Sequence, residues 1–144
     1  MKPRIVIPTV APEAYQALMN LEKYISTTSL TPTHKELIKI RASQVNGCAF
    51  CVNMHTADAR KQGETEQRIY LTSVWREADV FTEEEKAILA LTEQVTMISN
   101  HVSDEVYQKA ASFFSEKYLA EIILLIITIN SWNRLAITTG LRAV

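Results

Sequence analysis

Apolar residues return every three or four positions along most of this chain, the period of a helix buried by one face. Ala14, Leu18, Leu21 and Ile25 form the first stripe, on a helix predicted from Pro12 to about Thr27. Pro12 suits its first turn, where a backbone N–H would have no helical partner. Residues 29–32 read as a loop. A second helix is predicted from about Thr33 to Asn46, with Leu37, Ile38, Ile40 and Val45 apolar and Gly47 placed as its C-terminal cap. A third runs from about Cys48 to just before Gly63, and Glu64 to Trp75 holds a short helix and a turn. Thr82 and Glu85 form a capping box opening a helix to about Ser99, with Ile88, Leu89, Leu91, Val95 and Ile98 on its apolar positions. Ser103 or Asp104 caps the next helix, to about Ser115, and a last long helix spans Tyr118 to about Thr138.

The first half of that last helix is apolar on nearly every side. A helix of this kind must be covered all round, and a chain of 144 residues has little interior in which to do so. A helix through the centre of the domain, with part of it in a subunit interface, meets the requirement, so a homo-oligomer is expected.

Composition agrees with an all-α fold. All four prolines fall in the first 32 residues, and after them only Gly47, Gly63 and Gly140 interrupt helix formation. The 47% of apolar residues suffices for one core, and without repeats or linkers residues 1–144 read as a single domain. A formal net charge of −1 supplies no long-range attraction for nucleic acid or an anionic membrane. The opening MKPRIVIPTVAPEAY has too short an apolar run for a secretory signal, and Ile122 to Ile129 is too short to span a bilayer. A cytoplasmic location without membrane association is expected.

The chemistry lies in four residues: Glu36, Cys48, Cys51 and His55. The only two cysteines stand three positions apart, with the histidine four further on. On a helix these three share one stripe. In a reducing compartment a lone Cys-x-x-Cys pair points to catalysis or metal binding rather than to a permanent crosslink. Cys48 follows Gly47 and so sits near a helix N-terminus, where unpaired N–H groups and the helix dipole favour a thiolate. Consecutive turns also bring the two Cα atoms within reach of a disulfide. If the second and third helices form an antiparallel hairpin about Gly47, Glu36 lies level with position 58. The axial offset to His55 is then roughly 4.5 Å, which a glutamate can cover. The carboxylate would hold one imidazole nitrogen while the other faces the thiols. Two rivals stand beside this dithiol reading. Glu36, Cys48, Cys51 and His55 could together bind zinc, although no second paired motif completes the usual pattern. Alternatively, the pair could serve a non-enzymatic redox sensor or assembly subunit. His34 and His101 read as surface residues at helix ends, and Trp75 and Trp132 as core or interface residues.

The stretch KELIKIRASQVNGCAFCVNMHTADARKQG, with its Glu-x11-Cys-x-x-Cys-x-x-x-His pattern, resembles the carboxymuconolactone decarboxylase superfamily in its alkylhydroperoxidase D-like branch. INSWNRLAITTG resembles a second family stretch, and the similarity covers about residues 30 to 140. The resemblance implies an alkylhydroperoxidase D-like domain of six to seven helices, assembled as homotrimers or homohexamers. It implies an antioxidant peroxidase or disulfide oxidoreductase acting on organic hydroperoxides without haem, flavin or metal. Carried over, Cys51 attacks the peroxide, Cys48 resolves the sulfenic acid as a disulfide, and Glu36 and His55 relay protons. A dithiol reductant, either a lipoylated protein or a small thiol, restores the pair. The helix-end field alone would instead favour Cys48 as the more acidic thiol. Phe50 departs from the family pattern, in which a histidine often precedes the second cysteine. The decarboxylase branch would leave the cysteines unexplained.

Overall fold

A computed structural model describes residues 4–144, and all regular structure among them is helical. Eight α-helices follow in order: α1 (Ile7–Val10), α2 (Pro12–Ser26), α3 (Pro32–Asn46), α4 (Ala49–Lys61), α5 (Glu66–Leu71), α6 (Glu83–Thr96), α7 (Asp104–Ala111) and α8 (Glu116–Thr139). Short 3-10 segments occupy Thr72–Glu77 and Ile98–Asn100. The helix beyond the six or seven expected is α1, a single turn in which Pro8 occupies an early position rather than breaking the chain. The helix α8 begins two residues earlier than its apolar pattern suggests, because Ser115 accepts the Tyr118 N–H and caps it. The capping box at Thr82 and Glu85 is present with both of its hydrogen bonds.

The helix α8 runs through the middle of the domain and packs against α2, α3, α4, α6 and α7. Ile122, Leu125, Ile126 and Ile129 meet Ile38 and Ala42 of α3 and Ile88 and Leu91 of α6 in the main core. Each isoleucine or leucine so enclosed contributes about 1.5–3 kcal/mol relative to exposure. By length and composition α8 could also cross a bilayer, but half of that apolar window is buried inside this domain. One edge remains uncovered, marked by Ile127, which is 46% exposed. The centre of the domain therefore covers most of the helix, and a stripe is left over.

A second core, of Leu37, Trp75, Phe81 and Leu89, sits beside a buried carboxylate. Glu93 accepts from Arg41 Nε at 2.7 Å and Trp75 Nε1 at 2.8 Å, and pairs with Arg76 at 2.6 Å. Burial opposes its ionisation, yet these donors outweigh that cost and hold its pKa below the ordinary carboxylate value. Glu85, gripped by both guanidinium branches of Arg68, is lowered in the same way against the same opposition from burial. A carboxylate with a depressed folded pKa contributes stability that is fully present above its unfolded value of 4.5 and is lost as pH falls through the folded value. The urea midpoint is therefore expected to hold between pH 5 and 7 and to fall steeply below about pH 4, with Glu93→Gln flattening part of that fall. Chemical denaturation across pH measures both.

One of the two histidines read as superficial differs from expectation here. His34 is half-buried rather than superficial: its Nδ1 lies 2.6 Å from the Tyr118 hydroxyl and its ring meets Phe114 edge-on. Its partners lie 80 and 84 positions away, so local sequence gives no sign of them. His101 does end a helical segment, in an exposed turn with φ of 61°.

Candidate redox site

The site is built on the turn between α3 and α4. Gly47 adopts φ 70°, ψ 30°, the left-handed geometry that only glycine reaches without strain, and it ends α3. The N–H of Cys48 then bonds the Ser43 carbonyl at 2.9 Å, which sends the chain back along α3. Cys48 is the N-cap of α4, and its Sγ accepts from the Cys51 N–H at 3.3 Å. Cys48 and Cys51 form a disulfide with Cα atoms 5.3 Å apart, so consecutive turns do bring them together. Both are buried, packed against Ala136 of α8 and flanked by Phe50.

The α3–α4 hairpin is straight enough to bring Glu36 to His55. Glu36 Oε2 lies 3.5 Å from His55 Nδ1, with both residues buried, and neither atom has a hydrogen-bond partner. At this spacing the two atoms face each other just outside hydrogen-bonding geometry, and a small inward motion would close the contact. The other carboxylate oxygen, Oε1, lies 3.5 Å from Lys39 Nζ, which is also 3.9 Å from Glu22 of α2. Burial pushes the Glu36 pKa up, but the facing imidazole and the Lys39 ammonium prevail and leave it below the ordinary value. The carboxylate therefore stays charged at neutral pH. With Nδ1 turned to Glu36, the other imidazole nitrogen is left for the cavity that His55 shares with Cys51.

That cavity has a volume of about 440 Å³. Tyr15 and Met19 of α2, Phe50 and Met54 of α4, and Leu125 and Trp132 of α8 give it an apolar wall. Trp132 is thus a cavity residue. Its Nε1 donates to Glu22 at 2.9 Å and its ring meets Tyr15 edge-on at 5.5 Å, which ties α2 over the opening. Lys39 and Glu22 escaped the sequence reading. The three-residue spacing from Glu36 to Lys39 was a usable signal; Glu22, on another helix, left none.

Asn133 and Arg134 of the SerTrpAsnArg stretch act from behind, together with Asn130. Asn46 Nδ2 donates to both Asn130 and Asn133 at 2.9 Å, and Asn133 donates to Ser43 at 3.0 Å. Arg134 closes onto Asn130 Oδ1 at 2.7 Å. This network pins the end of α3, and hence the cysteine turn, to α8. Partly satisfied networks of this kind are costly, so these satisfied bonds fix one geometry. Among the described residues, no three His, Cys, Asp or Glu side chains converge as a metal-binding group. A zinc site would require the two sulfurs to separate and turn toward His55 with Glu36.

Comparison with known proteins agrees with this architecture. The sequence pattern of the Carboxymuconolactone decarboxylase family matches residues 12–94. The uncharacterized protein YdfG of Bacillus subtilis is 49% identical over 144 residues, covering 99% of this chain and 98% of YdfG. A crystal structure from Agrobacterium tumefaciens, of a protein of unknown function named as a candidate antioxidant defence protein AhpD, is 41% identical. It superposes with a TM-score of 0.95 over 99% of both chains. The alkylhydroperoxidase AhpD core of an uncharacterized peroxidase-related protein from Ralstonia eutropha shares the fold at 21% identity. Its TM-score is 0.82 over 95% of this chain and 74% of that one. With its helical architecture and its cysteine hairpin, this chain belongs to the carboxymuconolactone decarboxylase family and has an AhpD-like fold.

Proposed function

We propose that this protein is a thiol-dependent peroxidase that reduces organic hydroperoxides with the Cys48–Cys51 pair and is regenerated by an external dithiol. One observation carries the reading: the disulfide between the only two cysteines borders an apolar cavity that is also lined by His55, whose imidazole faces the buried carboxylate of Glu36. In the reduced protein His55 takes the Cys51 proton, while Glu36 stabilises the imidazolium. The thiolate attacks the outer peroxide oxygen, the O–O bond breaks, and the alkoxide leaves as the alcohol with the proton from His55. Cys51 is then a sulfenic acid. Cys48 attacks that sulfur, water departs and the disulfide forms. One peroxide and two thiols have become one alcohol, one water and one disulfide. Phe50 replaces a polar neighbour with an apolar wall, so proton transfer falls to His55 and Glu36 alone.

The test is sustained turnover. With a dithiol donor in excess, the protein should consume many equivalents of cumene hydroperoxide per chain. A sensor that only switches an interface would stop after one equivalent, and that outcome would replace the enzymatic reading.

Assembly belongs to the same proposal. The uncovered edge of α8 borders an apolar groove with Ile98, Tyr107 and Ile127. A second copy laid on it in a trimer or hexamer would bury the stripe. Ile127→Lys is expected to reduce the mass measured by light scattering to that of a smaller species while leaving helicity unchanged.

A further inference from the structure

The two cysteines of the disulfide line different openings. Cys51 lies on the apolar cavity, whereas Cys48 borders a second cleft of about 350 Å³ between the start of α4 and the residues that follow α8. Leu141 belongs to both and stands between them. The electrostatics differ as well. Glu22 and Asp58 line the cavity and Glu36 lies behind His55, with Lys39 as the one lysine or arginine among the described residues of its wall. Among the described residues, the one ionisable side chain in the wall of the cleft besides Cys48 is Arg142. The first turn of α4 adds the partial positive charge of a thirteen-residue helix. Residues 141–143, which form part of this wall, are exposed and carry no regular structure.

These differences suit different reactants. A neutral hydroperoxide fits an apolar, acid-rimmed cavity. A reducing thiol must arrive as a thiolate, which is an anion. We infer that the cleft at Gly140 and Arg142 is the entry site of the reducing dithiol and that the dithiol attacks Sγ of Cys48, while peroxide reaches Cys51 from the other side. The inference rests on the peroxidase reading for its second half only. In the reductive step the incoming thiolate bonds to Cys48 as the Cys48–Cys51 bond breaks. The electron pair leaves on Cys51, the sulfur that shares a cavity with His55 and can take a proton from it. The second thiol of the reductant then displaces Cys48 from the mixed disulfide. Cys48 takes the remaining proton, and the reductant leaves as its own intramolecular disulfide. Alcohol and oxidised reductant leave by separate routes.

The experiment has two arms. In the first, oxidised protein without peroxide is mixed with glutathione, quenched with an alkylating agent, and mapped by tandem mass spectrometry. The glutathione adduct should fall on Cys48 and the alkyl group on Cys51, with about a tenfold preference. An adduct mainly on Cys51 overturns the inference, whatever the peroxidase activity proves to be. In the second arm Arg142→Glu should slow reduction of the disulfide about fivefold and leave oxidation of the reduced protein by cumene hydroperoxide unchanged. Equal effects on both half-reactions, or none on reduction, overturn it. Free dihydrolipoamide and a dihydrolipoyl-bearing protein domain are both offered; the faster donor identifies the source, and Arg142→Glu must slow that donor.

Discussion

Cys51→Ser is expected to lower peroxide turnover by a factor on the order of 10³ or more, with the fold intact. Serine nearly matches cysteine in size, and its hydroxyl cannot become an anion near neutral pH, so the cavity keeps its shape and loses its nucleophile. Cys48→Ser should behave differently. It keeps the attacking sulfur and removes the one that closes the disulfide. Such a protein consumes one equivalent of hydroperoxide per chain, stops, and carries a sulfenic acid that dimedone labels on Cys51. Stopped-flow peroxide consumption and mass spectrometry distinguish the two variants. Undiminished turnover in Cys51→Ser, or dimedone on Cys48 in a Cys51→Ser background with activity retained, would reverse the roles and favour the sulfur at the helix N-cap.

His55→Ala should lower the second-order rate with peroxide by about 10²-fold, the usual contribution of a positioned general base, and Glu36→Gln by about 10-fold. Glu36 is held below the ordinary carboxylate pKa despite its burial, by the facing imidazole and by Lys39. It therefore remains ionised above pH 4.5 and adds no titration of its own to the pH profile between 5 and 9. Removing the charge takes away the partner that favours imidazolium. The pH at which Cys51 becomes reactive toward iodoacetamide should then rise by about one unit in Glu36→Gln. A profile unmoved by either substitution would reduce the Glu36–His55 contact of 3.5 Å to packing. The sign for stability runs the same way as at Glu93: the lowered carboxylate contributes above pH 4.5 and ceases to do so as pH falls through its folded value.

Much of the framework was legible because it depends on local rules. Helix positions followed from apolar spacing, and the box at Thr82 and Glu85 was readable because its two bonds join residues three apart. Gly47 marked the cysteine turn because no other residue takes that backbone shape freely. The meeting of Glu36 and His55 followed from rise per residue, once a straight hairpin was assumed. Boundaries were less secure. The helix α7 stops at Ala111 rather than near Ser115, since the Ser112–Phe114 segment turns the chain toward α8.

The sequence by itself determined the all-helical class, the dithiol motif and its place at a helix start, because these depend on side-chain period, glycine and residues within one or two turns. Tertiary structure alone decided that Trp132 and Tyr15 wall the cavity. It also decided that Lys39 sits between Glu36 and Glu22, and that Asn46, Asn130 and Asn133 fasten the cysteine turn to α8. Those contacts join helices up to 117 positions apart. Their geometry is set by how helix faces pack around α8, which no local pattern encodes.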